Sequence, residues 1–150
     1  VSMKVVIVSD SHGNKKSFER IITESLPDIL IFCGDGFPDI PSDFSGKLYA
    51  VRGNTDNVYA DNEINLCISD INIFITHGEG YSVKSGLEYL RLRAKALGAE
   101  VVFFGHTHEQ VYLNSGGIRL INPGSVFYGY YAVWNNFPEG EPELKRFQAE

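Results

Sequence analysis

Five apolar runs of the chain break off into polar residues: KVVIVSD (4–10), DILIFCGD (28–35), KLYAVRGN (47–54), INIFITHG (71–78) and EVVFFGH (100–106). The first is a continuous apolar stretch rich in β-branched residues, and the others are apolar with Asn72 the one interruption. That is the pattern of strands buried inside a sheet. A buried sheet must be covered, which confines the chain to a layered α/β architecture.

The remaining segments supply the cover and the turns. Asn14 reads as an N-cap, and Phe18, Ile21, Ile22 and Leu26 form one helical face that Pro27 ends. A second helix carries Val83, Leu87, Leu90, Ala94 and Leu97, with Gly98 after its end. Ser69-Asp70 is a hairpin turn between INLCI (64–68) and the strand that follows. QVYLNSGGIRLINPGS (110–125) reads as two strands around Gly116-Gly117, and GYYAVW (129–134) as one more. Strands alternate with helices early and hairpins dominate late, so the sheet is parallel in part and antiparallel in part. No repeat, low-complexity segment or long linker divides the chain, and one domain over residues 1–150 is expected.

Bulk properties exclude several classes. Hydrophobic content of 43% and charged content of 21% are those of an ordinary soluble globule. No apolar run approaches the ~20 residues that span a bilayer, so no membrane is expected. No secretory leader is visible, and the only Met is Met3, after Val1 and Ser2. The net charge is −6, and the richest basic cluster, RLRAKALG (91–98), reads as the polar side of a helix. That argues against long nucleic acid and leaves room for one short anionic substrate. Cys33 and Cys67 sit in apolar runs and are expected to be buried free thiols in a cytoplasmic protein.

Polar residues beyond the carboxyl ends of buried strands meet in one crevice in such folds. Here they are Asp10-Ser11-His12, Gly34-Asp35, Gly53-Asn54, His77-Gly78 and Gly105-His106-Thr107-His108. Each fragment alone reads as a cap or turn. Together the five ends carry all four histidines of the chain, two aspartates and one asparagine. His106 and His108 alternate by two, which puts both rings on one side of an extended segment, as a metal requires.

The series DSHGN (10–14), GDGFPD (34–39), RGNTD (52–56), THGEG (76–80), GHTH (105–108) and NPGS (122–125) resembles the calcineurin-like metallophosphoesterases, and more closely their small phosphodiesterases of YfcE type. The resemblance implies an αββα four-layer sandwich of two mixed β-sheets flanked by helices, with two metals above the sheets. It implies that Asp10, His12, Asp35 and His108 hold one metal, and that Asp35, Asn54, His77 and His106 hold the other, with Asp35 bridging. Asp35, Asn54 and His77 are then the catalytic group. Asn54 and Arg52 are the residues expected to meet the substrate.

Imidazole and carboxylate together suit Mn, Fe, Ni, Co or Zn better than Ca, and manganese is the first expectation. The implied activity is hydrolysis of a small phosphodiester by attack of a metal-bridging hydroxide. Two divalent ions, two carboxylates and one hydroxide leave the site near about +1, attractive to a phosphodiester anion. The alternative is a protein-interaction scaffold with the same fold and little catalysis, as in the retromer subunit that shares it. The full set of seven ligands favours the enzyme, and a homo-oligomer is left open. Thr55 stands where larger members carry a histidine. Glu79 stands where many relatives carry a second histidine, which disfavours dianionic monoesters. Asp56 is expected to support the ligands from behind.

Overall fold

The structure, a computed structural model, describes residues 3–147. Residues 1, 2 and 148–150 of the expected domain lie outside the described residues. In chain order the elements are β1 (Met3–Val8), α1 (Lys15–Ser25), β2 (Ile29–Phe32), β3 (Lys47–Ala50), β4 (Glu63–Ile68) and β5 (Ile71–Thr76). There follow α2 (Glu88–Leu97), β6 (Val101–Phe103), β7 (Val111–Ser115), β8 (Ile118–Asn122), β9 (Tyr130–Phe137) and β10 (Glu143–Arg146). One five-stranded sheet runs β10-β9-β1-β2-β3, the other β4-β5-β6-β8-β7. In the first, β1, β2 and β3 are parallel, β9 is antiparallel to β1 and β10 antiparallel to β9; in the second, β5, β6 and β8 are parallel, β4 is antiparallel to β5 and β7 antiparallel to β8.

The continuous apolar runs are explained by which face each residue takes. Val5, Ile7, Ile29 and Ile31 of the first sheet meet Ile73, Ile75, Val101 and Phe103 of the second in one core between the sheets. The intervening residues point the other way. Val6, Val8, Leu30 and Phe32 pack under Phe18 and Ile21 of α1. Phe74, Val102 and Leu120 pack under Leu90 and Ala94 of α2. Strands with apolar residues on both faces thus sit in the two middle layers of a helix–sheet–sheet–helix stack, the four-layer sandwich expected from the motifs.

The turns follow their sequences. Asn14 caps α1 by accepting the N–H of Ser17 at 3.2 Å. Ser69 and Asp70 both have positive φ, as do Gly116 and Gly117, and each pair forms a two-residue hairpin.

Several expectations differ. Leu26 does not join the helical face: it is the left-handed cap of α1 and 75% exposed. The second helix does not run unbroken from Val83. A 3₁₀ turn covers Val83–Ser85, Gly86 at φ 129° breaks the path, and α2 starts at Glu88. Val83 still packs in the same core. β3 is an edge strand with exposed Lys47 and Leu48. Cys67 is exposed: on edge strand β4 its neighbours Leu66 and Ile68 take the core side, so alternation turns it away. β10 is exposed and polar and has no hydrophobic pattern to announce it.

Candidate metal centre

The turns that follow the parallel strands of both sheets meet. Behind β1, the N–H of Asp10 bonds the carbonyl of Gly34 behind β2 at 2.8 Å. From the other sheet, the N–H of His106 donates to Asp10 Oδ2 at 3.1 Å, and the N–H of Val126 to the carbonyl of Ser9 at 2.9 Å. These bonds bring six of the seven expected donors into two adjoining groups, Asp10, His12 and His108, and Asp35, His77 and His106.

In the first group His12 Nε2 and His108 Nε2 lie 3.4 and 3.2 Å from Asp10 Oδ1 and 3.1 Å from each other. In the second, His77 Nε2 lies 3.1 Å from Asp35 Oδ2 and 3.2 Å from His106 Nδ1. His77 Nε2 is also 3.8 Å from Asp10 Oδ1, and His12 Nε2 is 4.0 Å from Asp35 Oδ2, which joins the groups. Donor atoms held ~2.0–2.1 Å from one centre stand roughly 3.0–3.4 Å apart, so these separations fit first-row divalent ions. Asp10 Oδ1 is buried without a hydrogen-bond donor of its own, facing imidazole nitrogens. An orphaned buried carboxylate oxygen is costly, and a cation among these donors removes the cost. The residues therefore fit a metal in each group.

The tautomer of His77 points the same way. Its Nδ1 lies 2.7 Å from the carbonyl of Cys33, which can only accept, so Nδ1 carries the proton. Nε2 is left to face the Asp35 carboxylate. Two acceptors at that distance need a proton or a cation between them. Burial works to raise the Asp35 carboxyl, but hydrogen bonds from His77 and from the N–H of Thr55 outweigh it and hold Asp35 well below the usual carboxylate range. Burial works to lower His77, and Asp35 and Asp10 outweigh it, so His77 is raised. His106 moves down, through burial first and the neighbouring His77 second.

Backbone conformation at the site is unusual. Asp10, His12, Asp35, His106 and His108 all have φ between 43° and 73°. Such conformations cost of order 1–3 kcal/mol each and persist only where the surroundings over-determine them. Two carboxylates provide part of that determination. Asp56 accepts the backbone N–H groups of Asp35, Gly36, Phe37 and Gly53 at 2.9–3.1 Å. Asp39 accepts Ser11 Oγ and the N–H of Gly13, both at 2.7 Å. Close approach also needs glycine: a Cβ on Gly53 would lie 2.0 Å from Asp35 Oδ1, and one on Gly105 2.0 Å from Ser9 Oγ.

Asp39, Ser9, Asn122 and Ser125 carry no role in the sequence reading. Ser9 Oγ donates to Asp10 Oδ2 at 2.6 Å, and Ser125 Oγ donates to the carbonyl of Asp10 at 2.7 Å. Asn122 Nδ2 donates to Gly105 O and Thr107 Oγ1 and so fixes the turn between the two exposed-side histidines. The fragments GDGFPD and NPGS were the available signal for Asp39, Asn122 and Ser125; Ser9 had none beyond its place at the end of an apolar run.

Asn54 is exposed on the same turn, flanked by Gly53, which abuts Asp35, and Thr55, whose N–H donates to Asp35 Oδ1 at 2.9 Å. Arg52 is half-buried, with its N–H on the carbonyl of Asp61. Partial burial raises the Glu79 carboxyl, against the pull of His77 and Arg52.

Known proteins resemble this chain in sequence and in fold. The family model described as the calcineurin-like phosphoesterase superfamily domain matches residues 3–132. A probable metallophosphoesterase of Bacillus subtilis, YsnB, is 34% identical over 83% of this chain and 75% of its own. The phosphodiesterase MJ0936 of Methanocaldococcus jannaschii is 29% identical over 81% of this chain and 83% of its own. Among solved structures, a single mutant of Vps29 from Entamoeba histolytica superposes with a TM-score of 0.76 at 18% identity, covering 99% of this chain and 100% of that one.

Proposed function

Since the chain belongs to the calcineurin-like phosphoesterase superfamily, we propose that it is a dinuclear metal-dependent phosphodiesterase acting on small diesters as one domain. One observation carries the reading: two adjoining donor groups aim ring nitrogens at the buried Asp10 and Asp35 carboxylates, with a buried oxygen left without a donor. The MJ0936 relative, named a phosphodiesterase, supports the diester class.

In this reading Asp10, His12, Asp35 and His108 hold one cation, and Asp35, Asn54, His77 and His106 the other, with manganese first among Mn, Ni, Fe, Co and Zn. Such a pair supplies Lewis-acid activation of water and neutralises phosphate charge. The chain's own residues do the rest. Cys33 O fixes the His77 tautomer, which keeps Nε2 free as a donor atom. Asp35, between the groups, sets their spacing. Asn54 would offer its amide oxygen to a cation and its amide N–H groups to a phosphate, and Arg52 stands two residues before it in the chain. All four histidines are used as ligands, so none is left to protonate the leaving group. The acidic chain, net −6, keeps long nucleic acid away. We place the protein in the cytoplasm.

The test is elemental analysis of reconstituted protein together with kcat/KM for aryl diesters, alkyl diesters and monoesters. Two transition ions per chain and preference for diesters are expected. Metal-loaded protein without phosphoesterase activity would favour the scaffold reading, for which Vps29 offers the fold precedent.

A further inference from the structure

We propose that Asp39 is a positioning residue for His12, and through it controls one of the two cation sites and not the other. The inference rests on the metal reading above and concerns a residue that is not itself a donor in either group.

His12 lies on a turn at φ 43°, and its side chain is 30% exposed. Apolar packing therefore does little to fix the ring. Its ring nitrogen meets Asp10, Asp35 and His108, and the backbone on either side sets the position from which the ring reaches them. The residue before, Ser11, is fully buried and gives its hydroxyl to Asp39 Oδ2 at 2.7 Å. The residue after, Gly13, gives its N–H to the same oxygen at 2.7 Å. One oxygen thus grips both flanks of a strained ligand. The N–H of His12 itself does not meet Asp39: it donates to the carbonyl of Asp35 at 3.1 Å.

Asp39 is itself held firmly. It closes the 3₁₀ turn Phe37–Asp39, its own N–H bonds the carbonyl of Gly36 at 2.8 Å, and it is buried. The turn is pressed against the His12 turn: a Cβ on Gly36 would lie 1.8 Å from Ser11 Oγ and 3.0 Å from both Asp39 Oδ2 and the His12 nitrogen. The Asp39 side chain bonds Ser11 and Gly13, and none of its described hydrogen bonds reaches Asp35, His77 or His106. Its influence should be confined to the group of Asp10, His12 and His108. Asp56 provides the contrast, because it holds Asp35, which lies between the groups.

The experiment measures Mn²⁺ binding to metal-free protein by the EPR signal of free Mn²⁺, in two backgrounds. His106→Ala leaves the first group as the stronger site, and His108→Ala leaves the second. Supporting residues of this kind typically cost about 10–100-fold in metal affinity. Asp39→Ala should weaken binding about 10-fold or more in the His106→Ala background, and less than about 2-fold in the His108→Ala background. Asp39→Asn, which keeps an acceptor oxygen in place, should restore most of the loss. Asp56→Asn should weaken binding in both backgrounds. Thermal melting of the metal-free variants accompanies each titration. Equal weakening by Asp39→Ala in both backgrounds, or no weakening in either, overturns the proposal while wild type still binds two ions. A wild-type chain that takes up no Mn²⁺ overturns the metal reading and this inference with it. Should Asp39→Ala not fold, Asp39→Leu and Asp39→Asn give the same comparison: Leu lacks the acceptor and must lose the first site alone.

Discussion

His77 gives its Nδ1 proton to the carbonyl of Cys33 at 2.7 Å, and this bond decides which nitrogen faces Asp35. In metal-free protein a second proton on Nε2 is held by Asp35. His77 is therefore expected to titrate above the ordinary histidine value and His106 below it. Imidazole NMR across a pH series reads both, and the opposite order would mean that Nε2 does not face Asp35 in solution. Adding metal should release the His77 proton, because a cation replaces it.

Acid stability of metal-free protein should report Asp35. Its folded-state pKa is depressed by His77 and Thr55 against the effect of burial. The stabilisation is therefore fully present above the unfolded value of ~3.9 and is lost as pH falls through the folded value. Asp35→Asn removes that contribution. Chemical unfolding of the two proteins between pH 5 and about pH 2 should show a steeper decline for wild type; parallel curves would contradict the assigned contact.

Among ligand substitutions, Asp35→Asn should damage turnover most, by more than ~10²-fold, because it removes charge from the residue between the groups. His106→Ala and His108→Ala should each lower the metal content from two toward one. Elemental analysis beside kcat/KM measures this. Full activity in Asp35→Asn or His108→Ala would defeat the ligand assignment.

With every histidine assigned to metal, the leaving group departs without a strong proton donor. A positioned general acid contributes ~10²–10⁴-fold. Rates should therefore fall steeply as leaving-group pKa rises, with aryl diesters cleaved faster than alkyl diesters. Thr55→His should flatten the slope. A shallow slope in the unchanged protein would point to another donor, with Glu79 the first to replace by glutamine.

The interior strands, and the six histidines and aspartates that the structure gathers in two groups, were legible because both depend on short-range pattern. Val5, Val6, Ile7 and Val8 are all apolar because alternate residues serve two different cores, and Asp10 follows because the strand ends there. Edge elements were less legible. β10 reads Glu-Leu-Lys-Arg and buries little, so only its pairing with β9 defines it. Cys67 misled because its run looks apolar, while its side faces away from the core. At the site, histidines advertise themselves by chemistry. Asp39 does not: its role comes from a turn folded back onto residues 26 and 28 positions earlier in the chain, a relationship that no local window contains. Gly53 and Gly105 looked like ordinary turn glycines, yet steric closeness to Asp35 and Ser9 is what excludes a side chain there.

Each donor group draws from both sheets: Asp10 and His12 belong to one and His108 to the other, and Asp35 belongs to the first while His77 and His106 belong to the second. A cation in either group is thus a rivet through the sandwich, set at one rim only. At the opposite rim, where the Ser69-Asp70 and Gly116-Gly117 hairpins turn, the contacts described between the sheets are apolar packing together with Arg119 of β8, which donates to the carbonyl of Gly140 at 3.2 Å and stacks on Trp134. Loading with metal should therefore slow amide hydrogen exchange in a gradient, most at the ends of β1, β2, β5 and β6 and least at those hairpins, as a clasp stiffens a book along the side it closes.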